Sequence, residues 1–169
     1  MNKELENKFT ELFDLFKKKY AEFLHFEKSI RRFYKDTDSK THLMLGFTNA
    51  YADSMQDRMQ LNDILITEYD NKVGEFAGML KNFVYDKVNV MQEDINMLTD
   101  MRGIFSTISM ELQKHAGEKN SLKKYEIFER EIDKAVENFE NRTSDLKSKL
   151  TKLKKEYKNL IELYSSFIN

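Results

Sequence analysis

Histidines are the residues here that could bind a metal or move a proton, and the chain has three. His25, His42 and His115 lie far apart in the sequence and on different predicted elements. A zinc hydrolase of the HExxH type needs two histidines on one helical turn, and a di-iron helical bundle needs a Glu-x-x-His motif on each of two helices. The chain provides neither arrangement. We therefore predict a non-enzymatic protein with no catalytic residues, no metal site, no cofactor and no small-molecule substrate.

Lysine and arginine are the second group that could bind a ligand, through charge. The chain has 28 basic and 29 acidic residues and a formal net charge of −1. No overall field favours nucleic acid or anionic lipid, so binding to either must come from local asymmetry. The strongest asymmetry lies near the C-terminus, where only Asp145 and Glu156 oppose seven basic residues: Arg142, Lys147, Lys149, Lys152, Lys154, Lys155 and Lys158. The competing interpretation is that these side chains only solvate the outside of a helix. It is favoured by their heptad positions, because with Leu150 at a and Leu153 at d they surround the non-core arc of the helix and do not form one stripe.

The composition predicts long helices as the elements that carry these residues. Hydrophobic residues make up 40% of the chain and charged residues 34%, and there is no proline. Without proline nothing forces a helix to break, and no Asn-Gly or Asp-Gly hairpin turn separates alternating runs. The predicted fold class is all-α.

Other features of the composition bear on the compartment. Cysteine is absent, which fits a reducing environment. The N-terminal segment is too polar for a signal peptide, and no run of about 18 apolar residues could span a bilayer. We expect a cytoplasmic protein.

Apolar spacing divides the chain into three predicted helices in one domain spanning residues 1–169. The last helix, about residues 120–168, has an apolar residue every three or four positions from Phe139 to Phe167, which is typical of a coiled coil. Helix 1 covers about residues 3–35 and ends at the polar stretch KDTDSKTH. Helix 2 covers about residues 42–115, with a break near Gly103 as the alternative.

The predicted lengths also imply a partner. The seam of helix 2 includes Val88, Met91 and Ile95, and helix 1 would cover less than half of it. The uncovered apolar face would have to meet another molecule, most simply a second copy. We predict an elongated antiparallel three-helix coiled coil that dimerises.

This plan and two stretches of sequence resemble BAR domains, most closely those of the sorting-nexin type. Leu61, Leu65 and Tyr69 resemble an LxxxLxxY-like stretch in the second helix of the family. The ending FENRTSDLKSKLTKLKKEYKNLIELYSSFI is similar to the third helix. The positions that match there are Phe139, Glu140, Arg142, Asp145, Leu146, Lys147, Tyr164 and Phe167.

The resemblance implies a curved six-helix dimer, formed with itself or with a related BAR protein, that holds an anionic membrane on a basic surface. The seven basic residues above would contact lipid, together with four at the tip: Lys114, Lys119, Lys123 and Lys124. The implied dimer interface consists of Leu43, Phe47, Leu61, Leu65, Tyr69, Leu146, Leu150, Leu153, Tyr157, Leu160 and Tyr164.

The function that the resemblance implies is sensing or shaping of membrane curvature in endosomal or vesicle trafficking and protein transport. The chain departs from the family in being shorter than most members and in having Tyr164 where a closing Trp is usual. It also shows no phosphoinositide-binding module. The alternative function is a structural coiled-coil scaffold or tether that does not bind lipid.

Overall fold

The computed structural model describes residues 3–60, 66–115 and 121–169. It contains helices α1 (Lys3–Gln60), α2 (Glu68–Lys114) and α3 (Leu122–Ile168). Within those ranges there is no β-strand, so the predicted all-α class is confirmed.

The predicted loop after residue 35 is wrong, because α1 continues through KDTDSKTH to Gln60. The stretch has no apolar residue, but its threonines occupy the buried positions of the helix. Thr37 is fully buried and its hydroxyl donates to the Tyr34 carbonyl at 3.0 Å, while Thr41 is 8% exposed and precedes the buried Met44. Tyr34, Thr37, Thr41 and Met44 recur every three or four residues, which keeps one helix face against the core.

The single long second helix that the spacing predicted is also wrong. Its first part, up to Gln60, belongs to α1, and α2 begins at Glu68. With 58 residues in α1 and 47 in α2, the first helix is no longer the shorter one. The length mismatch that required a partner is therefore absent.

The buried line of α2 also differs from the predicted seam at two charged positions. Val88 and Ile95 are 53% and 49% exposed, whereas Lys87 and Asp94 are 8% and 1% exposed. Lys87 is held by Asp38 of α1, with 2.6 Å between Nζ and Oδ1, and its ammonium lies 5.9 Å from the centre of the Tyr34 ring. Apolar spacing alone does not predict such positions. A charged residue is buried only where it has a partner, and the sequence does not show which residue that partner is.

The described chain forms two compact units. The first comprises Met1–Ile30 and Gln92–Lys147, and the second comprises Arg31–Met91 and Ser148–Asn169. Each of the three helices contributes a segment to both units.

The first unit is organised around three phenylalanines, one from each helix. Phe105 of α2 lies 5.4 Å from Phe23 of α1 and 6.1 Å from Phe139 of α3, measured between ring centres, and all three are at most 5% exposed. Large aromatic side chains bury more apolar area than any others, so this cluster supplies much of the unit's hydrophobic stabilisation.

The second unit has a corresponding aromatic core. Phe47 of α1 packs 6.3 Å from Phe76 of α2 and 5.9 Å from Tyr164 of α3. Farther along, Asp38 pairs with Lys87 and Phe83 stacks on Tyr157. In this unit α2 therefore runs antiparallel to both α1 and α3.

A carboxylate joins the end of α1 to the start of α2 in the second unit. Thr67 and Asp70 form a capping box, in which the Thr67 amide donates to Asp70 Oδ2 at 2.8 Å and the Asp70 amide donates to the Thr67 hydroxyl at 3.2 Å. The other oxygen of Asp70 accepts hydrogen bonds from Arg58, at 2.9 Å, and from the Tyr51 hydroxyl. We call this set of hydrogen-bonded groups, on Tyr51, Arg58, Thr67 and Asp70, the Asp70 latch.

The continuity of α1 can be tested with proline at Ser39, an exposed position. Proline inside a helix removes a hydrogen bond and clashes with the preceding turn, at a cost of about 3 kcal/mol or more. We expect Ser39→Pro to lower the free energy of unfolding by that amount in urea titrations followed by circular dichroism. Ser39→Ala is the control and should change it by less than about 0.5 kcal/mol. Equal stability of the two variants would mean that residues 36–42 form a loop.

The Asp70 latch predicts that Asp70→Asn destabilises the protein. An amide replaces a charged acceptor that satisfies four donors at a site only 6% exposed. The expected loss is about 1–3 kcal/mol in the same titration. Asp53→Asn, at an exposed position of α1, is the matched control; a similar loss in both variants would contradict the assigned role.

Candidate functional site

The part of α3 that belongs to the second unit is rich in exposed lysines. Between residues 148 and 169 the chain has five lysines and two glutamates. Lys152, Lys154, Lys155 and Lys158 are exposed, while Lys149 is half-buried. We call the four exposed residues the lysine face.

Packing constrains two of these side chains. The Lys154 ammonium lies 5.7 Å from the centre of the Phe33 ring, and the Lys152 ammonium lies 4.0 Å from Glu156 Oε1. Because a cation over an aromatic face remains accessible on its outer side, Lys154 can still interact with an anion.

Three other basic residues of the predicted lipid set, Arg142, Lys147 and Lys124, lie in the first unit and contact protein groups. Arg142 pairs with Asp100 at 2.8 Å, and Lys147 lies 5.6 Å from the centre of the Phe26 ring. At the tip, Lys124 Nζ lies 2.8 Å from His115 Nδ1. Lys114 and Lys123 are exposed, and Lys119 falls outside the described residues.

Glu156 is the acidic side chain that interrupts the lysine face. Partial burial raises its pKa, the nearby Asp86 raises it further, and Lys152 opposes both effects. The ionised form of Glu156 is therefore less stable in the folded protein than in water.

Four leucines of the predicted dimer interface are buried within the chain itself. Leu146, Leu150, Leu153 and Leu160 are at most 6% exposed. Phe47, Tyr157 and Tyr164 are half-buried. Leu43 and Tyr69 are 60% and 44% exposed, and Leu61 and Leu65 lie outside the described residues. Of the predicted set that is described, Leu43 and Tyr69 present most surface to a partner.

A groove between α1 and α2 in the second unit is a feature that the sequence did not reveal. Its volume is about 880 Å³, and Leu43, Val84, Val88 and Met91 supply its apolar lining. We call it the α1/α2 groove. The available signal was the pair Val88 and Val90, because two residues so close cannot both face the core of one helix.

One Glu-x-x-His motif occurs in the chain, at Glu22 and His25. A di-iron bundle needs this motif on each of two helices. Both side chains are exposed, and Glu22 pairs with Lys19 at 3.4 Å. Across residues 3–60, 66–115 and 121–169, no group of three or more potential ligands could hold a metal ion.

The raised pKa of Glu156 predicts a pH-dependent effect of Glu156→Gln. The folded state binds this proton more tightly than the unfolded chain, so ionisation of Glu156 reduces stability. That penalty is absent below the ordinary value of 4.5 and fully present above the raised pKa. At pH 7 the variant should have a higher urea midpoint than the wild type, and the difference should shrink toward pH 4. Glu162→Gln, at an exposed position of α3, is the control, and a pH-independent difference for Glu156→Gln would contradict the assignment.

Searches for related proteins give no further information on the site. In the part of the chain that the structure describes, no helix is long and apolar enough to cross a bilayer. No model of a known protein family matches the chain, and neither curated proteins nor solved structures give a significant match. The function must therefore be argued from the chain's own residues.

Proposed function

We propose that this protein is a non-enzymatic helical module that binds an anionic membrane surface and, as a BAR-like coiled-coil dimer, senses or shapes curvature on endosomes or vesicles. The observation that carries this proposal is the lysine face of α3, where Lys152, Lys154, Lys155 and Lys158 are all exposed. The arrangement concentrates positive charge on a protein with a net charge of only −1.

The lysine face of a single chain would bind a membrane only weakly. A basic side chain near an anionic membrane contributes about 1 kcal/mol, so four lysines contribute about 4 kcal/mol. That energy corresponds to a dissociation constant of about 1 mM for one chain. Two chains that present the lysine face together would bind far more tightly, which is why the proposal includes a dimer.

The second candidate is a structural scaffold or tether that binds proteins and not lipid. Two observations favour it: the burial of Leu150, Leu153 and Leu160 within a single chain, and the exposure of Leu43 and Val88 beside the α1/α2 groove. The interior is thus closed within the chain, while an apolar surface faces outward on α1 and α2.

A vesicle experiment separates the two candidates. The triple variant Lys154→Glu, Lys155→Glu, Lys158→Glu should bind vesicles containing phosphatidylserine at least about tenfold more weakly than the wild type, because three attractive charges become repulsive. Flotation of protein with vesicles measures the bound fraction.

The matched control carries the same charge change on exposed lysines of the first unit, as Lys17→Glu, Lys28→Glu, Lys134→Glu. It should retain most of the binding. Equal losses in the two triple variants would show non-specific attraction, and absence of wild-type binding would favour the scaffold. For curvature sensing, the wild type should prefer small vesicles to large ones and sediment as a dimer.

A further inference from the structure

Exposed apolar side chains lie in and beside the α1/α2 groove. Leu43 is 60% exposed, Val88 is 53% exposed, and Tyr85, one turn before Val88, is 69% exposed. Exposed apolar residues that cluster, instead of occurring singly, mark surfaces that bind a partner.

Charge at the two ends of the groove indicates what kind of partner fits. Inside the groove Lys87 is neutralised by Asp38 at 2.6 Å. Lys35 lies one turn before Asp38 on α1, and Lys81 lies one turn before Val84 on α2; both lysines are exposed. Because α1 and α2 run antiparallel here, the two lysines lie at opposite ends of an apolar surface.

We propose that the α1/α2 groove binds an amphipathic helix of another protein in which acidic residues flank an apolar stretch of about two turns. The length follows from the apolar lining of α2, since the seven steps from Val84 to Met91 rise about 10 Å along a helix. The apolar stretch covers Leu43 and Val88, and the acidic residues at its two ends pair with Lys35 and Lys81. This binding uses α1 and α2 and is independent of the lysine face of α3.

Fluorescence anisotropy with two synthetic helical peptides tests the proposal. Both have the same central Leu and Ala residues, and one has three glutamates at each end where the other has three lysines. The acidic peptide should bind the wild type at least about tenfold more tightly than the basic one, which is the effect of about 1.4 kcal/mol from two charge pairs. Equal affinity for the two peptides would overturn the proposal.

Two variants locate the binding. Val88→Asp changes an exposed side chain in the groove and should weaken binding of the acidic peptide about tenfold or more, by loss of apolar contact. Ile127→Asp, at a residue of α3 in the first unit that is 43% exposed, should leave the affinity unchanged. Equal effects of the two substitutions would contradict a site in the groove.

Charge reversal provides a test that does not depend on the fold tolerating Val88→Asp. The variant Lys35→Glu, Lys81→Glu alters only exposed side chains and should reverse the preference, so that the basic peptide binds more tightly. An unchanged preference would overturn the proposal. So would a dimer in sedimentation that excludes the peptide, because a second copy would then be the occupant.

Discussion

An ion pair between Asp38 of α1 and Lys87 of α2 joins two helices of the second unit. Lys87 is only 8% exposed, and burial of an unpaired ammonium would be very unfavourable. The Lys87 ammonium pairs with the Asp38 carboxylate and lies over the ring of Tyr34. Both partners belong to the part of α1 that is richest in polar residues. The pair forms where α1 continues as a helix through residues 35–42, and it agrees with the antiparallel register that Phe47 and Phe76 set farther along the same helices. Asp38 and Lys87 also line the α1/α2 groove.

Some of this structure could be predicted from the sequence. The all-α class follows from the absence of proline and from the apolar spacing, and Leu150, Leu153 and Leu160 are buried as their spacing indicates. Apolar spacing could not predict where α1 ends and α2 begins. The buried positions near residue 40 are threonines, and α2 begins at a capping box of Thr67 and Asp70 that apolar spacing does not mark.

The candidate sites could also be predicted from the sequence only in part. Sequence alone locates the excess of lysine in α3, since charge is counted without knowledge of packing. It does not show that Arg142 and Lys124 are directed to Asp100 and His115, because Asp100 lies on α2 and His115 lies directly after its end. The α1/α2 groove was missed since Val88 was assigned to the core line that Lys87 and Val90 actually occupy. The apolar periodicity of one helix does not show which residues of different helices pair with each other.

The Asp70 latch joins α1 and α2 a second time, in addition to the covalent chain between them. The Asp70 carboxylate accepts hydrogen bonds from Arg58 and Tyr51 of α1 and from Thr67 at the N-cap of α2. Initiation of α2 and pairing of the two helix ends are therefore coupled, and loss of this one carboxylate weakens both.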